Sequence, residues 1–416
     1  MPPAAYPPCD IAAMPRGHMV AAEGSPSKWR ASLTDVIVVG AGISGSATAY
    51  ELATRGQDVV LLDRWGPAAM ASGWSLAGVR QSGRHPAELP LARAAVSLWS
   101  DLSARLDGDT HYVRRGNLRL ARDEAEVEVI RRMVADQNAA GLDLTFLGDI
   151  KDIRAIAPAV SEQVLAASFC PSDGQADPAG TTAAFAAAAE RAGAELRFGE
   201  RALEILTGNG KVTGLRTDKD VIAAPRIVLA AGIFGNELLD AVGHHVPLEI
   251  AMVTVMQSPP TERQLEQVIG VANADCAGRQ EWNGRWRVTS GAMRWHGKMT
   301  DRPVPKVNPS AKSIWETVEK FGAVVPAFGE AEIEGIWTGL LDVTPDALPV
   351  LDNSRKVEGL TIGMGFSGHG FCLGPITGKI LAALAMGEDP GLPLQPFELA
   401  RFDGWNGLYE GLTLHG

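Results

Sequence analysis

The sequence predicts an α/β fold, α+β over the whole chain, in which an α/β nucleotide-binding part carries a separate antiparallel sheet. Three observations predict it. Residues 35–63 read as a complete strand–helix–strand unit. Two further apolar strands, at 226–230 and within 360–374, run directly into glycines. Between them, residues 247 to about 335 carry a long strand at 248–257 and an Asn-Gly hairpin signal at Asn283-Gly284.

The first strand is the β-branched run 36–39, which suits a parallel strand buried on both faces. Gly40, Gly42 and Gly45 follow it at G-x-G-x-x-G spacing, with Ala41, Ile43 and Ser44 between them. Ile43, Ala47, Tyr50 and Ala53 then recur at helical spacing, Gly56 supplies the stop, and 59–62 is the second strand. Gly40 permits the tight turn, Gly42 brings the backbone against a pyrophosphate, and Gly45 lets the helix pack on the strand. The helix start adds free N–H groups and the positive end of its dipole. Asp63 closes the second strand about 20 residues downstream, beside Arg64, where a carboxylate accepts from ribose hydroxyls. These parts in register predict a bound dinucleotide and leave NAD and FAD open.

The loop 64–85 is rich in glycine, and Ser72-Gly73 and Ala77-Gly78-Val79-Arg80 are where its backbone can approach a cofactor beyond the pyrophosphate. Residues 90–106 read as one amphipathic helix with Ala94, Leu98, Leu102 and Leu106 on a single face. A strand at 112–120 and a charged helix at 123–140 follow, and Asp177-Pro178 opens an Ala-rich helix stopped by Gly193. Asn209-Gly210 signals a hairpin. The strand 226–230 ends in Ala231-Gly232 ahead of a helix at 235–242, so Gly232 falls where parallel sheets bind ligands. Finally Gly363, Gly365, Gly368, Gly370 and Gly374 punctuate a strand leading to a helix at 375–386, with Pro375 in its first turn. A glycine-rich strand end feeding a helix is a second anion site. A reduced flavin, negative at N1 and the C2 carbonyl, uses such a site and NAD does not.

The 416 residues suffice for two domains, and a net charge of −11 with no Lys/Arg-rich run argues against nucleic acid or an anionic membrane as a partner. Cys9, Cys170, Cys276 and Cys372 are scattered, so local spacing builds neither a zinc site nor an iron–sulfur cluster. No metal is expected, and spread thiols fit a reducing, cytoplasmic setting. No apolar run reaches the roughly 20 residues of a membrane helix. Residues 1–34, rich in Pro, Ala and Gly, read as a mobile tail whose prolines and Asp10 interrupt any secretory signal.

VIVVGAGISG with Asp63, ASGWSLAGVR, DPAGTTAAFAAAAERAGAEL, IVLAAG, TGLLDVTPDALPVLD, and GFSGHGF followed by GPITGKILAAL occur in that order from Asp35 to about Phe402. In these pieces the chain resembles the FAD-dependent amine and amino-acid oxidoreductases that include glycine oxidase, sarcosine oxidase and D-amino-acid dehydrogenases. The resemblance implies a Rossmann-like FAD domain from residues 35–80, 171–245 and 336–402, a substrate domain from 81–170 and 246–335 whose antiparallel sheet covers the flavin, and a C-terminal tail at 403–416. It implies hydride transfer from an amine-bearing carbon to flavin N5, giving an imine that water hydrolyses. The densest match, Gly365, Phe366, Ser367, Gly368, His369, Gly370 and Phe371, would contact the flavin.

Three departures qualify the match. Where monomeric sarcosine oxidases carry a carboxylate-holding lysine after GFSGHGF, this chain has Cys372. Where they carry a flavin-linked cysteine before T-P-D, it has Gly339, so the FAD is expected to be non-covalent. IVLAAGIFGN also lacks the family's usual residues after its glycine. TGLLDVTPD is closer to catalytic subunits of heteromeric sarcosine, opine or D-hydroxyproline oxidoreductases, which implies a possible hetero-oligomer whose acceptor is oxygen, a quinone or a partner subunit. His369 and Arg80 are the candidate catalytic residues, Arg80 as a carboxylate clamp or as an ion-pair or cofactor contact. His85, His296, Trp282, Trp286 and Trp295 read more readily as structural. Two alternatives stay open: an FAD-dependent 2-hydroxy-acid dehydrogenase, and a flavin-binding partner subunit without catalysis.

Overall fold

In the computed structural model, residues 34–300 and 304–407 are described. The tail assigned to 1–34 therefore lies, but for Thr34, outside the described residues, as does 408–416 of the C-terminal tail. No helix among the described residues is long and apolar enough to cross a membrane.

Val36–Val39, the helix Ile43–Thr54 and Val59–Asp63 form the expected unit, with Val36 paired to Val59 in parallel register. They lie inside a six-stranded sheet ordered Val350–Asn353, Leu360–Met364, Ile227–Leu229, Val36–Val39, Val59–Asp63, Glu195–Phe198. All joins are parallel except the first. Val36, Val38 and Leu61 pack into one core and Ile37, Val39, Val60 and Leu62 into another, so both faces are buried and the strands read as unbroken apolar runs.

On one face the helix Ile43–Thr54 lies against the helix Gly370–Met386. Two glycines of the latter make the approach possible: a Cβ on Gly374 would stand 2.5 Å from Ile43 Cγ1, and one on Gly378 would stand 2.6 Å from Ala47 Cβ. This second helix starts five residues before Pro375, not at it. Gly368, at φ 87°, turns the chain so that Gly370 already has helical geometry, and Pro375 forgoes one backbone bond inside the helix.

A nine-stranded sheet forms the rest. Its order runs Met293–Arg294, Glu249–Pro260, Arg285–Ser290, Cys276–Gln280, Val268–Val271, Asn117–Ala121, Ala166–Cys170, Thr145–Leu147, with Gly335–Val343 also on Glu249–Pro260. The sheet is antiparallel except where Val268–Val271 joins Asn117–Ala121. Gly335–Val343 thus hydrogen-bonds in the large sheet while its Leu340, Leu341 and Asp342 reach a cavity beside the six-stranded one.

Local rules failed where packing overrode them. The single helix expected at 90–106 is two, Leu89–Trp99 and Leu102–Leu106, broken at Asp101 with φ −113°. The break lets Trp99, Leu102 and Leu106 all face the core, where Trp99 Nε1 donates to the Cys372 carbonyl at 3.0 Å. The helix expected at 235–242 is a chain of short turns, Gly232–Phe234, Asn236–Leu239 and Asp240–Val242. The 64–85 loop contains a short helix, Ala71–Trp74.

Candidate active site

Two adjoining cavities lie between the sheets. The first, about 180 Å³, is lined by Gly40, Gly42, Ile43 and Ser44 at one helix start and by Gly368, Gly370 and Phe371 at the other. Both helix amino termini therefore converge on one space, and each presents N–H groups and the positive dipole end to it. Gly40, at φ 106°, could not carry a side chain, since a Cβ would lie 2.4 Å from the Ala230 carbonyl oxygen.

Asp63, Arg64 and Gly232 line the same cavity. Asp63 Oδ2 accepts from Ala41 N at 2.8 Å, and Oδ1 from Trp65 N at 2.7 Å and Gly66 N at 2.9 Å. Burial nevertheless raises its carboxyl above the usual range, against those three donors. The Arg64 guanidinium lies 4.0 Å from the Phe234 ring centroid and donates to Glu237 at 3.1 Å, shielding this end.

Asp342 shapes the opposite end. Its carboxylate accepts from Gly365 N at 2.8 Å and its carbonyl from Ser367 N at 3.0 Å, which fixes the glycine-rich turn before the second helix. Burial pushes this carboxyl from 3.8 up to about 6, against bonds from Gly365 and neighbouring amides. An acid raised on folding costs stability when ionised: the penalty is complete above pH 6 and fades as pH falls towards 3.8. Asp342→Asn is therefore expected to stabilise the FAD-free protein at pH 7 by up to roughly 3 kcal/mol, with the gain vanishing near about pH 4. Urea unfolding at both pH values checks this, and an equal gain at both would refute it.

The second cavity, about 160 Å³, has apolar walls from Trp74, Val253, Val255, Ile269, Val271 and Leu341. Arg80, Arg84, Arg119 and His369 line it, together with the thiols of Cys276 and Cys372. Glu88, fully buried, pairs with Arg84 at 3.3 Å and with His369 Nδ1 at 3.0 Å. Burial and the Arg84 charge lower the His369 pKa, against the pull of the Glu88 carboxylate on its Nδ1. Burial works to raise Glu88, and His369 with Arg84 more than reverses it, holding the carboxyl at about 2. Arg80 Nη1 donates to the Ser82 and Gly83 carbonyls at 2.6 and 3.1 Å, and burial beside Arg84 and Arg119 lowers its pKa well below the usual value. Burial also brings Arg119 down to about 10, still protonated at neutral pH. Asp173 accepts from Gln81 N at 2.8 Å and from Ser82. Among the described residues the cluster thus brings three guanidiniums together with Glu88 and Asp173, and burial raises the Asp173 carboxyl above its usual range.

Residues 35–384 match the sequence family described as DAO, FAD dependent oxidoreductase. The chain belongs to that family. It is 28% identical over 388 residues to a glycine oxidase of Geobacillus kaustophilus (strain HTA426), covering 90% of this chain and 98% of the other. It is 25% identical over 384 residues to a sarcosine oxidase subunit beta of Arthrobacter sp, covering 89% and 91%. Among solved structures, an L-proline dehydrogenase from P. horikoshii superposes with a TM-score of 0.81 at 25% identity, covering 90% of this chain and 99% of that one.

FAD is accordingly the cofactor, and the first cavity fits it. The cradle at Gly42 is bounded by Ser72 Oγ, 3.1 Å from where a Cβ would stand, and the Ser75 hydroxyl is buried without a protein partner. Ala71, Ser75, Leu341, Gly368 and Phe371 line both cavities and mark where they meet. Of the other residues expected at the FAD, Ser72 and Phe366 line the first cavity, and Gly78 and His369 the second. Ala77 also lines the second cavity, whereas Ala41, Gly45, Gly73, Val79, Gly365 and Ser367 line neither. Ala41 and Gly365 donate to Asp63 and Asp342, Gly45 sits under the Gly40 carbonyl, and Ala77 and Val79 are core. Ser367, at φ 51°, is buried with its hydroxyl beside Thr344, and Gly73 lies within the short helix 71–74.

The lesser candidates lie elsewhere. His85 accepts from Ala87 N, His296 is exposed, Trp286 is core, and Trp282 stacks on His111 at 3.8 Å. Sequence reasoning missed Ser75, Arg84, Glu88, Arg119 and Asp342. For Asp342 a signal existed, an acid beside T-P-D in a matched segment; the others show only when strands far apart in sequence are brought together.

Proposed function

We propose that this enzyme oxidises the C–N bond of a small amino acid or secondary amine bearing one carboxylate and an apolar substituent. The observation that carries this reading is the second cavity: apolar walls, a lining that includes Arg80, Arg84 and Arg119, and a junction with the FAD cavity at Gly368 and Phe371. The names of the relatives, glycine oxidase, sarcosine oxidase and L-proline dehydrogenase, support it. The same reading assigns the six-stranded sheet to the cofactor and most of the nine-stranded sheet to the substrate.

FAD held by the glycine turns of the first cavity would supply the acceptor for the hydride that leaves the amine-bearing carbon. The chain's own part is positioning and charge. Arg80 and Arg119 attract the carboxylate, the valine and isoleucine wall excludes water and takes the apolar substituent, and the amine is held uncharged beside a cluster that is already cationic. The imine product leaves and hydrolyses in water.

Arg119→Met removes one of the three guanidiniums that line the second cavity. The expected result is a KM for the amino acid raised about 10- to 100-fold, equivalent to about 1.4–3 kcal/mol, with kcat changed far less. An unchanged KM would remove Arg119 from substrate binding. The reading as a whole is tested by anaerobic flavin absorbance with sarcosine, proline, D-amino acids, opines and 2-hydroxy acids added in turn, then air. Bleaching by amines alone supports it; bleaching by 2-hydroxy acids alone replaces it with alcohol oxidation. Fast recolouring in air means an oxidase, and slow recolouring points to a quinone or to a partner subunit in a heteromeric complex.

A further inference from the structure

We infer that Ser75 is the side-chain hydrogen-bond partner of the flavin ring where the two cavities meet, and that Arg287 and Trp337 of the large sheet are the positioning residues that hold it there. Ser75 lines both cavities, and its hydroxyl is buried with no hydrogen bond among the described residues. A buried hydroxyl left unpaired is unfavourable, and beside a cavity a bound ligand can complete it.

The polar groups around that hydroxyl are already committed. Ser72 Oγ accepts from Ile43 N at 3.0 Å, and Gly73 N and Trp74 N donate to the Met70 carbonyl at 2.9 and 3.1 Å. Three successive carbonyls are held from the large sheet. Arg287 Nη1 donates to Ser75 O at 3.0 Å and more distantly to Gly73 O at 3.5 Å, while Trp337 Nε1 donates to Trp74 O at 3.3 Å. The clamp is itself fixed. Arg287 Nε lies 2.7 Å from Glu281, its guanidinium stands 5.2 Å from the Trp337 ring centroid, and Glu281 also accepts from Gln257 at 2.6 Å and pairs with Arg279 at 3.3 Å.

Neither Arg287 nor Trp337 lines either cavity. Burying an ionic network of this kind is costly, and its output here is the placement of one short turn in which the Ser75 hydroxyl is buried and unpaired among the described residues. A flavin whose helix-cradled part occupies the first cavity and whose ring meets substrate in the second must cross the junction that Ser75 lines. Phe371 and Leu341, which share that junction, offer no polar side chain.

The test uses substrate-free holoenzyme, so it stands apart from the reading of the substrate. Ser75→Ala is expected to displace the flavin absorption maximum and to raise the FAD Kd about three- to tenfold by fluorescence titration. Ser75→Thr, which keeps a hydroxyl, stays near wild type. Trp337→Phe, which keeps the ring and loses the N–H, moves both readouts the same way by a smaller amount, and adds nothing further on a Ser75→Ala background. An unaltered spectrum and Kd in Ser75→Ala would overturn the flavin assignment, as would an effect confined to substrate KM. Full additivity of the two substitutions would overturn the clamp.

Discussion

Gly45→Val yields a colourless protein. A Cβ at Gly45 would lie 1.9 Å from the Gly40 carbonyl oxygen, and that oxygen belongs to backbone anchored by Gly40 N, which donates to the Leu62 carbonyl at 2.8 Å. The helix Ile43–Thr54 can relieve the clash only by lifting away from the sheet, which separates Gly42, Ile43 and Ser44 from the rest of the FAD cavity. It would also part from Gly374 and Gly378 of the second helix, the packing that brings the two amino termini together. The expected loss is complete: FAD bound per chain after gel filtration falls below a tenth of wild type, and thermal unfolding moves down by several degrees. Retention of stoichiometric FAD would mean that the approach at Gly45 does not position the cradle.

The second large effect is at Glu88. Its carboxylate is fully buried between Arg84 and His369, whose side chains are each 2% exposed. Glu88→Ala leaves the Arg84 guanidinium buried without that anion, and breaking such a pair costs about 3–5 kcal/mol. Glu88→Gln keeps an oxygen that can accept from His369 Nδ1 and loses only the charge, so its cost is smaller. The pH dependence has a definite sign. A carboxyl depressed on folding contributes stability that is fully present above its ordinary value of 4.5 and is lost as pH falls towards about 2. The stability difference between wild type and Glu88→Gln should therefore be constant from pH 7 to about pH 5 and shrink steadily below that. Urea midpoints followed by flavin fluorescence read this directly; a difference independent of pH down to 3 would show that Glu88 is not held ionised by its neighbours. Glu88→Gln should also raise KM less than Arg119→Met, because it leaves all three guanidiniums in place.

These two residues illustrate what was legible beforehand. Gly45 was readable because its role is local: three glycines, a strand and a helix within 35–63 impose one geometry wherever they occur. Asn209 and Gly210, at φ 52° and 76°, were readable for the same reason, since few residues tolerate that turn. The glycines of 363–374 likewise announced a close approach of backbone to ligand. By itself, then, the sequence determined the α/β core, the dinucleotide cradle, its flavin character and the family resemblance. Glu88 was not readable, because nothing at 88 tells that residue 369 will lie 3.0 Å away. Likewise Arg119, on a strand of the large sheet, joins Arg80 and Arg84 only when that sheet closes over the loop after Asp63. Ser75 differs from any loop serine only in what Arg287 and Trp337 do to its neighbours. Helix starts and breaks followed the same division, with Pro375 inside its helix and Asp101 interrupting another because core contacts outweighed local preference. Backbone conformations cost their energy locally and leave a mark in sequence; burial of charge and pairing across strands are settled only by the tertiary structure, which decides what each side chain must face.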